Sequence, residues 1–387
     1  MSTFDAARLE DAGALERGDG GAMLRALATA GAQVRRTVTA ASEAGVEGLD
    51  PGDRPRQVLV AAMGADDLVT DVVSTLADQA SAVAVVGANN LPVPGWVGAL
   101  DLVVAVSLSG RSRGPVHLAA EAGRRGARLL SVGAADSPLA EVTARARGIH
   151  VPVDVTGLTS RTAAWSLVTP VIVALGRLGL LSVDGEVIAA VADRLDDQAS
   201  ACRPSSEAFV NPAKVLAVDL AGRVPMILGD GPLSAVAARR FGAVLARTAR
   251  VPAVTGELPD AASALLACLD GPFAATATLP GGGRDIFADP DADGVRTELA
   301  LVTLRDVVPE PITPQDAARH DLAQGIVDLA RDSGAVVREL SPQAGPDLAR
   351  LAELIALADF TATYLALGHG QDPRRSAYVR RLRDLLG

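Results

Sequence analysis

The chain has 387 residues, 49% of them hydrophobic, and a formal net charge of −10. Length sets an expectation of two domains of roughly 150 residues each, and the hydrophobic content excludes disorder for the bulk of the chain. Lys214 is the only lysine among 36 basic residues, and aromatic residues make up 3%, a balance that argues against nucleic acid or an anionic membrane as partner.

In chain order, Leu9, Leu15, Met23, Leu24, Leu27 and Val34 recur at three-to-four spacing and predict helix over 5–45. Gly48–Arg56 reads as a Pro/Gly/Asp loop. Apolar runs follow at Val58–Ala62, Ala82–Val86, Leu102–Val106, Ala127–Val132 and Ile149–Val153, with helical patterns at Asp67–Ala77, Gly114–Gly123 and Pro138–Ala146. Near-continuous apolar strands separated by helices indicate a parallel sheet covered on both faces. Thr162–Leu181 and Val183–Ser200 are predicted helices, the first broken by Thr169, Pro170 and Arg177 and so not read as a membrane span.

A second α/β unit follows a connecting stretch through residues 202–214. It has strands at Val224–Leu228, Val251–Val254, Leu299–Leu304 and Val336–Leu340, a Gly229–Ser234 turn, and helices at Ala235–Arg247, Pro314–Ser333 and Leu348–Leu367. Thr278–Gly294 reads as an exposed loop. RQVLVAAMGADDLVTDV and GRVPMILGDGPLSAVAA are each a strand, a glycine turn and a helix start, the mark of a structural duplication. The expected fold is α/β: two doubly wound, flavodoxin-like parallel-sheet units with helical N-terminal and C-terminal extensions. Composition places boundaries at 1–48, 49–183, 184–221 and 222–387.

Cys202 and Cys268 form no CxxC pair, and His117, His150, His320 and His369 show no metal-ligand spacing, so neither metal nor cofactor is expected. The N-terminus has no basic-then-apolar leader pattern, and a cytoplasmic location is expected. In doubly wound sheets ligands bind beyond the carboxyl ends of the strands. The loops there are Met63–Asp67 and Ser107–Ser112. Hydroxyls, backbone N–H groups and a helix dipole can hold phosphate in such a loop, although serine and glycine also simply make turns.

MG at a strand-to-helix turn, DLVVAVSLSG and GARL together resemble a sugar isomerase (SIS) domain. NPAK, GRVPMILGDG, RVPAVTGELPDA and YLALGHGQDP resemble the bifunctional phosphoglucose/phosphomannose isomerase family from about residue 45 to the C-terminus. The resemblance implies two SIS domains, a homodimer, and a phosphosugar or sugar nucleotide as ligand. Ligand contacts are then implied at Gly64, Asp66, Ser107, Ser109, Gly110 and Ser112. Arg161 matches an arginine thought to stabilise charge on the substrate, and is equally readable as a helix-start arginine.

Position by position, the chemistry departs from the family. Its GMGGSG turn falls on Ala62–Asp67, where the Asp66 carboxylate suits a helix start but repels a phosphate dianion by several kcal/mol in order of magnitude. Isomerisation needs a base to move a proton between adjacent carbons. The family's glutamate falls on Arg247, its histidine on Ser263 and its C-terminal lysine on Arg383. Arginine stays protonated and cannot abstract a proton. Glu257, Asp260, His320 or His369 are the possible substitutes. Three readings therefore stand: a catalytically degenerate phosphosugar-binding or regulatory protein, an active aldose–ketose isomerase with displaced groups, and an interaction subunit without small ligand.

Overall fold

A computed structural model describes residues 4–19, 22–62, 67–88, 92–275, 297–307 and 312–386. Two compact units emerge, one from Arg25–Asp197 and one combining Met1–Leu24 with Gln198–Gly387. The chain starts with a 3-10 turn, Ala6–Leu9, then α1 (Ala12–Asp19), α2 (Met23–Leu27) and α3 (Ala30–Glu43). The continuous helix expected over 5–45 is thus broken. The buried Asp19 carboxylate accepts the Met23 and Leu24 N–H groups at 3.0 Å each, so it starts a new helix instead of extending the old one.

The Arg25–Asp197 unit continues with β1 (Val58–Ala62), α4 (Asp67–Ala80), β2 (Val85–Gly87), β3 (Leu102–Ser107) and α5 (Arg113–Arg124). β4 (Arg128–Gly133), α6 (Pro138–Arg145), β5 (Ile149–Pro152), α7 (Ala164–Arg177) and α8 (Gly185–Ala201) follow. All strand pairs are parallel, in the order β2-β1-β3-β4-β5. Alternate residues of a strand face opposite sides. Leu59, Ala61, Val103, Ala105 and Leu129 accordingly meet Leu118, Ala119 and Ala122 of α5 and Leu139 of α6, while α7 crosses β3 and β4 and is itself packed by α3 and α4. Composition alone put a boundary after residue 48, yet α3 lies within this unit because its buried Val34, Thr37 and Ala41 pack toward α7. The order reverses between β1 and β3, and that topological switch point sets where a ligand crevice belongs.

In the other unit come α9 (Pro212–Leu220), β6 (Arg223–Gly229), α10 (Pro232–Val244), a π-helical turn (Leu245–Ala249), β7 (Val254–Glu257) and α11 (Ala262–Cys268). β8 (Glu298–Leu304), α12 (Pro314–Asp332), β9 (Val336–Leu340), α13 (Asp347–Gly368) and α14 (Ala377–Leu386) complete it. Its sheet is parallel in the order β7-β6-β8-β9. The strand expected at Val251–Val254 starts only at Val254. Arg250 adopts a left-handed φ of 60° and the Val251 N–H closes the π turn onto Leu245, so 251–253 serve the turn. α9 stands where a connecting stretch was expected; Asn211 caps it, accepting from Ala213 and Lys214 N–H at 3.1 Å, with Pro212 in its first turn. The predicted loop Thr278–Gly294 lies outside the described residues.

α13 is long and apolar enough to cross a membrane, but 94% of its most apolar window is buried within the fold. Its hydrophobicity is that of a core helix.

The single lysine has a structural post. Lys214 Nζ donates to the carbonyls of Leu9, Pro204 and Ser206 at 2.6–2.8 Å and lies 5.5 Å from the Tyr364 ring centre. Burial lowers its pKa, partly opposed by Glu10. Lys214→Met keeps the stem and deletes the three bonds. Because two of the carbonyls are partly reachable by water, the expected loss is about 1–2 kcal/mol in urea unfolding, with fraying of residues 4–19 seen by limited proteolysis.

Candidate functional site

β3 ends at Ser107, directly at the switch point, and the chain turns through Ser109 and Gly110 into α5. Ser107 is buried and its hydroxyl donates to Ser112 Oγ at 3.0 Å, which leaves the Ser112 hydroxyl hydrogen to point elsewhere. The Ser112 N–H points back to Ser107 Oγ at 3.4 Å, and the Arg111 N–H reaches Ser109 Oγ at 3.3 Å. No side chain caps α5. Its first N–H groups, on Arg113 and Gly114, lie beyond the reach of any intrahelical carbonyl, and Pro115 has none to offer. Ser109, Arg111, Ser112 and Arg113 are all exposed. Hydroxyls and helix-start N–H groups thus converge on one solvent-facing edge, an arrangement suited to an oxyanion.

The turn is held from beneath. Gly110 has φ 63°, and a Cβ there would come within 2.1 Å of Ser137 Oγ. Gly133, at the end of β4, leaves no room for a Cβ against the Ser107 carbonyl, at 2.2 Å. The Ala134 N–H donates to the Leu108 carbonyl, and the Leu139 N–H to that of Gly110. His150 on β5 fixes this neighbouring loop: its Nε2 lies 3.2 Å from the Ala134 carbonyl and its Nδ1 2.7 Å from Ser131 Oγ. Donation to the carbonyl puts the proton on Nε2, so Nδ1 accepts from Ser131. Burial lowers the His150 pKa, favouring this neutral form.

Four of the sequence-predicted residues, Ser107, Ser109, Gly110 and Ser112, are therefore brought together in one turn. Arg161 sits half-buried in the turn before α7. Gly64 and Asp66 lie outside the described residues.

The switch point of the other unit, between β6 and β8, holds a cluster that sequence reasoning passed over. There, Asp230 follows β6 and Arg305 and Asp306 follow β8. Arg305 Nε bonds Asp230 at 2.8 Å, and its other nitrogens reach Glu339 at 3.4 Å and His320 Nδ1 at 2.9 Å. Asp230 accepts the Asp306 N–H. Asp306 in turn accepts the Ser234 N–H at 3.1 Å in the first turn of α10. Gly231, the residue preceding α10, leaves space for that carboxylate; a Cβ there would meet it at 2.2 Å. The start of α10, where an anion would dock, is thus occupied by the protein's own carboxylate. Burial and the neighbouring Asp230 push Asp306 up to about 6. The sequence signal was slight: an Asp-Gly pair after one strand and Arg-Asp after another.

Arg247 lies half-buried in the π turn, where its charge, after that of Arg240, opposes the upward push of burial on the Asp359 carboxyl. Ser263 is exposed on α11, and Arg383 falls on α14. Glu257 ends β7, half-exposed, 3.7 Å from Arg239. His320 is engaged with Arg305, and His369 packs edge-on against Phe4 at 5.3 Å. Among the described residues no group of three or more His, Cys, Asp or Glu side chains is placed to hold a metal ion.

Residues 209–386 match the family model of the bacterial phospho-glucose isomerase C-terminal SIS domain. Among solved structures, a hypothetical protein of Thermus thermophilus is similar at 14% identity, with a TM-score of 0.66 over 98% of this chain and 92% of that one. The C-terminal domain of glucosamine-fructose-6-phosphate aminotransferase from Francisella tularensis is similar at 12% identity and a TM-score of 0.59, over 92% of this chain and 98% of that one. A glucose-6-phosphate isomerase from Chlamydia trachomatis is also 12% identical, with a TM-score of 0.60 over 91% of this chain and 72% of that one. At these identities the likeness is one of fold. Comparison with curated proteins gives no match.

Proposed function

Starting from a SIS-fold chain whose residues 209–386 match the bacterial phospho-glucose isomerase C-terminal SIS domain family, we propose a phosphosugar-binding, regulatory role without isomerase turnover. The observation that carries it is the Ser107–Ser112 turn, which presents hydroxyls to an uncapped helix start at the switch point of the Arg25–Asp197 unit. Ser112, Ser109 and the Arg113 and Gly114 N–H groups take the phosphate oxygens; Ser107 orients Ser112; Arg111 and Arg113 supply charge at the rim. The sugar lies outward, toward solvent. In the other unit the equivalent helix start is filled by Asp306, which directs an anionic ligand to the Ser107 turn. Sugar phosphates as ligands are also in keeping with the named activities of the similar proteins from Chlamydia and Francisella.

Turnover is not part of this reading, because Arg247 cannot act as a base and Ser263 stands exposed with imidazole chemistry out of its reach. Thermal-shift titration with glucose, fructose and mannose 6-phosphates and with sugar nucleotides tests the proposal. A ligand at a hundredfold its Kd adds about 2.7 kcal/mol to the bound unit, and Ser107→Ala is expected to abolish the rise in melting temperature. A coupled assay is expected to give background rates. Turnover that Glu257→Gln removes would establish the displaced-base isomerase instead, and no shift with any of these compounds would leave the interaction-subunit reading.

A further inference from the structure

At the amino end of the Arg25–Asp197 sheet, the end away from the Ser107 turn, β4 runs past its neighbour. It begins at Arg128, but its pairing with β5 begins only at Leu130, opposite Ile149. The edge of Arg128 and Leu129 is left uncovered there, and a cavity of about 240 Å³ opens in the notch. Leu102, Leu129, Leu130, Ile149, Leu178 and the half-buried Leu49 give it apolar walls. Apolar cavities of about 150 Å³ already hold a benzene ring.

Among the described residues Arg128 and Arg147 also line the cavity and no acidic residue does, in a chain whose net charge is −10. Arg128 is committed, its guanidinium donating to the Asp53 carbonyl. Arg147 is exposed, and among the described residues its side chain makes no hydrogen bond or ion pair. The turn that carries it is one that favours glycine. α6 ends in two bonds, from the Gly148 N–H to the Thr143 carbonyl and from the Arg147 N–H to that of Ala144. They set Arg147 in the left-handed region at φ 54°. A side chain there costs backbone energy. Local structure gives no reason for arginine at this position, whereas an anion at the cavity mouth does.

We propose that this cavity binds a small carboxylic acid with an apolar body of about ring size, its carboxylate held by Arg147 and its body packed among the leucines. A guanidinium offers a carboxylate two parallel charge-assisted bonds, and the apolar walls gain from taking the body out of water. No acidic side chain lines the cavity to receive an ammonium, so the fit is to a simple acid and not to an amino acid. A sugar phosphate has no apolar body to bury. The site is therefore distinct from the Ser107 turn and stands independently of any ligand there.

Ligand-observed NMR titration of the full chain with 3-phenylpropionate tests it. The acid is expected to bind with a dissociation constant below about 1 mM. Its amide, 3-phenylpropionamide, and L-phenylalanine are expected to bind at least roughly tenfold more weakly. Arg147→Gly removes the guanidinium and relieves the left-handed backbone. It is expected to weaken the acid at least roughly tenfold, while the melting temperature of the free protein holds or rises. Leu49→Trp fills the cavity and is expected to weaken binding as much, with circular dichroism confirming the fold. No binding at about 10 mM acid, an amide or amino acid that binds as well, or affinity indifferent to either variant would each overturn the proposal. So would loss of binding in Ser107→Ala, which would put the carboxylate at that turn instead.

Discussion

Asp359→Ala is expected to lower the unfolding free energy by about 3–5 kcal/mol. Asp359 on α13 accepts two parallel bonds from Arg240 on α10, Nε to one oxygen and Nη2 to the other, each at 2.9 Å. The two side chains are 7% and 3% exposed. Burial pushes the carboxyl upward, and Arg240 and Arg247 oppose that. Deleting the carboxylate leaves a guanidinium that cannot lose its proton inside the helix pair. Arg240→Met/Asp359→Leu removes both charges and keeps most of the volume, and it is expected to recover at least half of the loss. Urea unfolding of the two variants decides the matter. If the single variant costs under 1 kcal/mol, the pair is solvated and the α10–α13 interface is not the dry contact described.

The same pair shows why some of this fold was legible in sequence and some was not. Strand residues in a parallel sheet are buried on both faces and read as unbroken apolar runs, which is why Val58–Ala62 was placed at its ends without correction. The Ser107–Ser112 turn was legible because a serine-glycine loop must follow a strand and precede a helix to hold an anion. Arg240, by contrast, lies inside an Ala-rich helix and Asp359 in an apolar one, 119 positions away. Each reads alone as a stray surface charge, and only packing shows that they satisfy each other. α9 was missed although Asn-Pro signalled its start, because the preceding Pro/Ser run drew the reading toward a connector. A helical C-terminal extension was expected without bounds, and the structure places it at Ala377–Leu386.

The two switch points carry opposite answers to one electrostatic problem. A helix start in a parallel sheet presents N–H groups that need acceptors. In the Arg25–Asp197 unit no side chain supplies an acceptor at the start of α5, where Pro115 stands in the first turn and hydroxyls alongside. In the other unit Asp306 supplies it from within.

That internal acceptor has a pH cost, and Asp306→Asn is expected to expose it. Asp306 faces Asp230 and the Ser234 N–H, with Arg350 acting at longer range; Asp230 itself faces Arg305, Arg319 and His320. The folded-state pKa of about 6 lies above the ordinary 3.8, so the fold prefers the protonated carboxyl. This contribution is complete below about 3.8 and is lost as pH rises through about 6. At 1.36 kcal/mol per pKa unit the full swing is about 3 kcal/mol. Asparagine keeps an acceptor for Ser234 and does not titrate. The stability difference between the parent and Asp306→Asn should therefore change by about 2–3 kcal/mol in the variant's favour between pH 4 and pH 7, then level off. His150 acts in the reverse sense, since its lowered pKa gives stability that is lost as pH falls below about 6.5, but it is present in both proteins and cancels. A pH-independent difference would mean that Asp306 is already ionised at pH 4, held so by the α10 start and Arg350 in spite of Asp230.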